Sequence, residues 1–176
     1  MYSLIEIVQK AKQYVREASG RPDREVEEWI ASCLGMKRLD LYVQYDRVME
    51  EGELQKIKKG LPLLRHGEPL AYLVQNAPFW KDVFYVTRGV LIPRPETESI
   101  VERALHVIQK NDFHSMADVC TGSGCIGLSI KGEMPSLSVL LFDAYDLPLH
   151  VTHRNAREKN RDVEIRKGNL MEPLRE

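Results

Sequence analysis

The stretch Asp118-Val119-Cys120-Thr121-Gly122-Ser123-Gly124-Cys125-Ile126-Gly127 decides the fold of this chain. An acid lies late in a short apolar run, a turn of small residues follows, and a second apolar segment begins at Ile126. This order predicts a strand, a tight turn and the N-terminus of a helix. Glycine lets a backbone approach a ligand closely, and helix-terminal amides attract electron-rich groups. We therefore interpret the turn as a nucleotide-type binding site.

A second acid, Asp143, follows the glycine turn at the end of the next predicted strand. The run Ser138-Val139-Leu140-Leu141-Phe142-Asp143 predicts a strand, and Asp143 lies 21 residues after Gly122. An acid at about that distance, at the end of the next strand, suits the ribose hydroxyls of an adenosine cofactor. A third strand and turn are predicted over 163–170. Helices and strands thus alternate, which predicts a parallel α/β sheet.

Asp118 distinguishes between two classes of cofactor. The segment 122–127 formally matches G-x-G-x-x-G, a pattern that also fits nicotinamide enzymes. A pyrophosphate is anionic, so an acid just before the first glycine opposes it. S-adenosylmethionine carries a sulfonium and an ammonium group, and the acid can help to hold that cationic end. We therefore predict S-adenosylmethionine as the cofactor.

Helical patterns fill the chain up to about residue 70. Ser3 and Glu6 form a capping-box pattern at the start of the first helix, and apolar residues recur at helical spacing after it. Pro62 is expected to kink or split the last long helix. These patterns predict a small helical bundle, whose apolar stripes we interpret as core.

A hairpin and a proline-rich stretch come next. Aromatic and β-branched residues flank Lys81-Asp82, which predicts a β-hairpin. Its four aromatic residues are expected to pack between domains, with a docking surface as the alternative: Phe79, Trp80, Phe84 and Tyr85. In Pro93-Arg94-Pro95-Glu96-Thr97-Glu98, Pro95 and the acids suit the first turn of a helix. Spacing alone favours a solvated helix start.

Composition narrows the class of protein further. The 176 residues are 43% hydrophobic and 29% charged with a net charge of −1, as in a soluble globular protein without a basic field for nucleic acid. No apolar run reaches the roughly 20 residues of a membrane span. The N-terminus does not resemble a signal peptide, and the three cysteines and five histidines show no metal-ligand spacing. We expect a cytoplasmic protein without a metal, and we interpret Cys125 as a packing residue.

In combination these segments resemble the peptide-chain release factor N5-glutamine methyltransferases. The resemblance is carried, in matching order, by Gly67-Glu68-Pro69-Leu70-Ala71-Tyr72, the hairpin, the stretch 89–98, the glycine turn, Arg154-Asn155-Ala156 and Gly168-Asn169-Leu170. The Ile-Pro-Arg-Pro-Glu-Thr-Glu stretch is far more specific than the glycine turn. The resemblance implies a helical substrate-recognition domain over 1–70, a β-hairpin linker over 71–92 and, over 93–176, the first half of a Rossmann-like S-adenosylmethionine-dependent methyltransferase domain.

The resemblance also implies site residues by position. Five residues of the turn would wrap the methionine end and ribose of S-adenosylmethionine: Cys120, Thr121, Gly122, Ser123 and Gly124. Asp143 would bind the ribose hydroxyls, and Asn169 and Leu170 would border the adenine. Arg94 and Glu96 would lie near the cofactor and the entering substrate. Asp118 completes the set of predicted cofactor-binding residues.

The implied reaction transfers a methyl group from S-adenosylmethionine to the side-chain amide of the glutamine in the Gly-Gly-Gln motif of class 1 release factors. These factors would be the partners of a monomer that binds neither nucleic acid nor membranes. In the family an Asn-Pro-Pro-Tyr motif grips the target amide, and this sequence does not contain it. We therefore predict no catalytic residue in this chain.

Two further departures bear on function. Cys120 stands where the family has glycine, and Asn169 stands where it usually has aspartate. One hypothesis is that the chain is the N-terminal part of a glutamine methyltransferase, cut short before the missing motif. The alternative is a non-catalytic module that binds the cofactor or a release factor. A third hypothesis, an amino-methyltransferase acting on nucleic acid, is opposed by the net charge of −1.

Overall fold

Helices form the first part of the chain and an α/β arrangement the second. The computed structural model describes residues 2–170. The chain divides into two units, Met1–Val74 and Gln75–Glu176. The hairpin predicted as a separate linker lies inside the second unit, and the first unit extends past residue 70 through a short helix. The residues 171–176 of the predicted third domain lie outside the described residues.

The first unit contains five helices in its described residues, and its sequence shows why they begin and end where they do. They are α1 (Leu4–Ser19), α2 (Asp23–Leu34), α3 (Asp40–Val43), α4 (Glu51–Arg65) and α5 (Leu70–Val74). The predicted capping box is present at α1, where the Ser3 backbone N–H donates to Glu6 Oε2 at 2.8 Å. α1 ends at Gly20, which has a φ of 60°.

Pro62 does not split α4, contrary to one of the two predicted outcomes. The helix continues from Glu51 to Arg65 with Pro62 inside it. Pro62 lies in the last turn, so its missing N–H costs only one late helical hydrogen bond. Its carbonyl still accepts the His66 N–H at 3.0 Å. The helices enclose one apolar core, which includes Leu4, Val8, Val15, Ile30, Leu41, Ile57 and Leu64.

The second unit begins with the hairpin and continues as alternating helices and strands. β1 (Asn76–Phe79) and β2 (Asp82–Tyr85) are antiparallel, and a 3₁₀ turn covers Pro95–Thr97. Then follow α6 (Glu98–Asn111), β3 (Ser115–Val119), α7 (Cys125–Glu133), β4 (Ser138–Asp143), α8 (Asp146–Glu158) and β5 (Glu164–Lys167). The last three strands form a parallel sheet in the order β3-β4-β5. This confirms the predicted fold class, a helical bundle followed by a hairpin and a Rossmann-like half domain.

The sheet register brings the predicted site together. Val119 at the end of β3 pairs with Phe142, and Asp143 at the end of β4 pairs with Lys167. Parallel strands end at the same edge, so the segments that follow β3, β4 and β5 all leave the sheet there. Open α/β sheets bind ligands at this edge.

The hairpin aromatics pack differently from the prediction. Phe79 and Phe84 are buried in the core of the second unit, with ring centroids 6.1 Å apart in an edge-to-face contact. Trp80 occupies the turn, and its indole N–H donates to Glu133 Oε1 at 2.8 Å. Large aromatic rings gain most by burial, and both rings belong to the same buried apolar cluster as residues of α6, α7 and β4.

None of the helices in residues 2–170 has both the length and the apolar composition needed to cross a membrane.

Candidate functional site

The glycine turn between β3 and α7 is held by backbone hydrogen bonds on both sides. The Thr121 N–H donates to the Phe142 carbonyl of β4 at 3.1 Å. The Gly124 N–H donates to the Thr121 carbonyl at 2.8 Å. The turn is therefore anchored to the neighbouring strand and closed on itself. Such an anchored turn is preorganised for a ligand at the carboxyl ends of the strands.

Two glycines of the turn motif are required by their surroundings. Gly124 has a φ of +79°, and a Cβ there would lie 2.9 Å from Leu128 Cδ1 and 3.0 Å from Thr152 Cγ2. At Gly127 a Cβ would overlap the Leu141 side chain of β4. Gly124 permits a left-handed backbone, and Gly127 lets α7 pack closely on the sheet. These are the roles that glycines have in a dinucleotide-type turn.

Cys120 stands where the release factor glutamine methyltransferases have glycine, and its φ is +59°. A non-glycine residue in the left-handed region is strained by about 1–3 kcal/mol. Cys120 therefore carries this strain, which glycine at the same position would not. Cys125 is different: burial raises the pKa of its thiol to about 11. A thiol with that pKa stays protonated near neutral pH, which agrees with its interpretation as a packing residue.

Asp118 is a buried acid whose carboxylate holds the turn. It is 8% exposed, and its Oδ2 accepts hydrogen bonds from the Thr121 hydroxyl at 2.7 Å and from the Gly127 N–H at 3.0 Å. Burial raises the pKa of Asp118, although both hydrogen bonds lower it. The acid thus occupies part of the N-terminus of α7. A pyrophosphate at the same helix terminus would meet this carboxylate.

Asp143 connects the second strand to the turn. Its Oδ2 accepts the Gly122 N–H at 3.1 Å, and its Oδ1 accepts the Tyr145 N–H at 3.2 Å. Each carboxylate oxygen can accept a further hydrogen bond, so the acid retains capacity for ligand hydroxyls. The residues at this end of the sheet therefore fit the predicted adenosine cofactor.

Asn169 and Leu170 follow β5 at the same edge of the sheet. The Gly168 N–H donates to the Asp143 carbonyl at 3.1 Å, which brings the segment after β5 beside the end of β4. Asn169 and Leu170 are exposed, and Leu170 has a φ of +47°. The placement is compatible with an adenine-bordering position, which stays a prediction.

Arg94 and Glu96 lie exposed at the start of α6. The Arg94 carbonyl accepts the Thr97 N–H at 3.0 Å, and the Glu96 carbonyl accepts the Ser99 hydroxyl at 2.8 Å. These bonds form a helix start, as their spacing indicates. A Cβ on Gly89 would lie 2.8 Å from Leu147 Cδ2, so the loop before them passes beside the start of α8. Their proximity to a substrate stays a prediction.

Sequence reasoning missed two side chains that hold the turn from α8. The Thr152 hydroxyl donates to the Gly122 carbonyl at 3.0 Å. Asn155 donates to the Ser123 carbonyl at 2.9 Å and is fully buried. The available signal was a pair of polar residues on the side of α8 that also carries buried Val151 and Ala156. Asn155 lies in a segment that carried the family resemblance, but no role had been assigned to it.

The fold and the site define the first half of a Rossmann-like domain with a glycine turn of the methyltransferase type. Two family models match the chain: the PrmC N-terminal domain at residues 6–74 and the methyltransferase small domain at residues 102–176. The chain is related to the release factor glutamine methyltransferases, which confirms the family predicted from the sequence.

Curated relatives named release factor glutamine methyltransferase match most of the chain. The protein from Leptospira interrogans is 32% identical over 88% of this chain and 54% of its own length. The protein from Bacillus subtilis is 32% identical over 99% of this chain and 62% of its own length. That from Francisella tularensis is 36% identical over 74% of this chain and 46% of its own length. The chain thus spans roughly half the length of these relatives.

Among solved structures, a tRNA (uracil-54, C5)-methyltransferase from Pyrococcus abyssi in complex with S-adenosyl-L-homocysteine is similar at 14% identity and a TM-score of 0.46. The likeness covers 53% of this chain and 23% of that one.

Proposed function

We propose that this chain supplies the cofactor-binding half of an S-adenosylmethionine-dependent methyltransferase that modifies class 1 peptide-chain release factors. The acceptor is the side-chain amide of the glutamine in their Gly-Gly-Gln motif. One observation carries the proposal: two strand-end acids, Asp118 and Asp143, hold the glycine turn at the carboxyl edge of a parallel sheet. The similarity to release factor glutamine methyltransferases supports a release-factor glutamine as the acceptor.

The turn residues have separate tasks in this proposal. When bound, S-adenosylmethionine supplies an electrophilic methyl group. The turn from Cys120 to Gly124 wraps the methionine end and ribose, and Asp143 accepts hydrogen bonds from the ribose hydroxyls. Asp118 holds the turn from inside, and its negative charge favours a cationic over an anionic ligand. Asn169 and Leu170 border the adenine, and Arg94 and Glu96 face the entering glutamine.

We assign no catalytic residue in these 176 residues, because the Asn-Pro-Pro-Tyr motif that the family uses to grip the target amide is not in the sequence. The proposed contribution of this chain is therefore binding and orientation of the methyl donor and contact with the release factor. Positioning of this kind supplies much of the rate of a methyl transfer. A cytoplasmic location is part of the same proposal.

Calorimetric titration of the chain with S-adenosylhomocysteine tests the cofactor assignment. The wild-type chain is expected to bind it, and Asp143→Asn is expected to bind at least tenfold more weakly, about 1.4 kcal/mol. The reason is that a neutral amide replaces a charged acceptor that also fixes the Gly122 N–H. The matched control is Asp112→Asn, because Asp112 is a 93% exposed acid at the end of α6. Equal affinities for all three proteins would contradict the assignment of Asp143.

A second titration with a class 1 release factor tests the partner. Binding to the wild-type chain is expected with and without S-adenosylhomocysteine. A chain that binds S-adenosylhomocysteine but no release factor would contradict the proposed acceptor and leave the cofactor assignment intact.

A further inference from the structure

Helix α8 contacts two other parts of the second unit through side chains on one face. Thr152 and Asn155 on α8 and Lys159, the residue that caps its C-terminus, are spaced three and four residues apart, which places them on the same side of the helix. The Thr152 hydroxyl donates to the Gly122 carbonyl in the turn at 3.0 Å. The Lys159 ammonium donates to the Val83 carbonyl in β2 of the hairpin. Asn155 lies between them and contacts both the turn and the hairpin.

All the hydrogen-bonding groups of the Asn155 amide are engaged. Its Nδ2 donates to the Ser123 carbonyl at 2.9 Å and to the Tyr85 carbonyl at 3.0 Å. Its Oδ1 accepts the Tyr85 N–H at 2.7 Å. The side chain is fully buried. Since a buried polar group that loses its partner is costly, the turn and β2 cannot separate without leaving several groups unpaired.

Asn155 pairs with Tyr85 in the way that a neighbouring strand would, since it uses both the N–H and the carbonyl of that residue. β1 covers one edge of β2, with Asn76 opposite Tyr85. The Arg154 guanidinium lies 3.5 Å from the Tyr85 ring centroid and holds the same residue through its side chain. Two adjacent residues of α8, Arg154 and Asn155, therefore hold Tyr85 at the end of the hairpin. One of them, Asn155, also holds the turn.

We propose that Asn155 is a positioning residue that makes the conformation of the glycine turn and the attachment of the hairpin interdependent. A ligand that orders the turn then tightens the hairpin, and a loosened hairpin weakens ligand binding by the same factor. The ligand half of this proposal rests on the proposed function. The structural half, the link between turn and hairpin, does not.

Amide hydrogen exchange of the 176-residue chain tests the structural half without any ligand. In Asn155→Asp the carboxylate still accepts the Tyr85 N–H, but it faces the Ser123 and Tyr85 carbonyls without a donor. Exchange at the Gly124 turn amide and at the hairpin amides of 82–86 is expected to rise together, about tenfold. Lys159→Met is expected to raise exchange mainly in the hairpin and, because Asn155 still links the two segments, to a smaller extent in the turn. Thr152→Val is expected to do the reverse. Exchange in Asn155→Asp that rises in only one segment would overturn the link.

Exchange with saturating S-adenosylhomocysteine tests the ligand half. In wild type the ligand is expected to slow exchange of the hairpin amides about threefold or more, and in Asn155→Asp this effect disappears. The double variant Thr152→Val/Lys159→Met retains Asn155 and is expected to keep the effect. Loss of the effect in that double variant would overturn the role of Asn155, even if Asn155→Asp fails to fold. A wild-type chain that binds no S-adenosylhomocysteine would refute the proposed function, and the ligand-free comparison would then decide on Asn155 alone.

Discussion

Cys120 has a backbone conformation that glycine adopts more easily than any other residue. Its φ of +59° lies in the left-handed region, where a side chain costs about 1–3 kcal/mol. Glycine recovers that strain but loses more backbone entropy on folding, by about 0.5–1 kcal/mol. The strain is the larger of the two, so Cys120→Gly is expected to raise the free energy of unfolding by about 1 kcal/mol.

Urea denaturation measures this gain, and Cys120→Ala is the matched control because alanine keeps the Cβ in the strained conformation. The alanine variant is expected to be no more stable than wild type. An alanine variant as stable as the glycine variant would show that the thiol, and not the backbone, causes the cost.

Asp118 gives a pH dependence whose sign follows from its environment. Burial raises its pKa in the folded state above the ordinary value of 3.8. The folded state therefore binds the proton more tightly than the unfolded state, and this contribution to stability is fully present below pH 3.8. It is lost as pH rises through the higher folded pKa.

Asp118→Asn keeps an oxygen that can accept from the Thr121 hydroxyl and the Gly127 N–H but does not titrate. The variant is expected to lose less stability than wild type as pH rises from 3.8 to neutrality. Urea denaturation over a series of pH values measures the two slopes. A variant whose stability falls as steeply as that of wild type would contradict the raised pKa of Asp118.

The first two helices and α3 are joined by one buried carboxylate. Glu27 on α2 is 4% exposed and accepts hydrogen bonds from Lys12 on α1 at 2.6 Å, from Arg38 at 2.8 Å and from the Tyr42 hydroxyl on α3 at 2.8 Å. Burial opposes its ionisation, but these three donors outweigh burial and lower the pKa of Glu27. The stability from this acid is present above pH 4.5 and is lost as pH falls through the lower folded pKa.

Glu27→Gln leaves two cations without their counter-charge and is expected to cost about 3 kcal/mol near neutral pH. This is the lower end of the range for a broken buried pair, because Lys12 and Arg38 keep 21% and 30% of their side chains exposed. The control is Glu28→Gln, because Arg24, the partner of Glu28, is 73% exposed. Losing this surface ion pair is expected to cost less than about 0.5 kcal/mol. Chemical denaturation measures the free energy of unfolding of both variants. Equal losses of stability in Glu27→Gln and Glu28→Gln would contradict a structural role for the Glu27 carboxylate.

At the level of elements, the sequence predicted the structure well where a local motif or a continuous apolar run marks the element. The predicted capping box at Ser3 begins α1, and the predicted strand over Ser138–Asp143 is β4. α5 was missed because its five residues are too few to show a helical period and none of them is buried. The packing of Phe79 and Phe84 was misjudged because composition shows that rings are buried but not against which surface.

For the molecule as a whole, alternating elements and the spacing of two acids were enough to predict a parallel α/β half domain after a helical region. The direction of individual side chains was not predictable. Asp118 was expected to face the cofactor, and the structure turns its Oδ2 toward Thr121 and Gly127. Asn155 was not assigned a role, because its partners are the backbone of Tyr85 and Ser123, distant in sequence. Such contacts depend on tertiary packing, which one sequence does not display.

Amide NMR can map S-adenosylhomocysteine binding onto the chain and so tests whether the glycine turn is the cofactor site. The largest shift changes are expected at Gly122, Ser123 and Gly124, with smaller ones at Gly168 and Asn169 after β5. A cavity at the opposite, amino edge of the sheet, lined by Ser115, Ser138 and Glu164 among others, is expected not to respond. Shift changes centred on that cavity, or none with saturating ligand, would contradict the assignment of the glycine turn as the cofactor site.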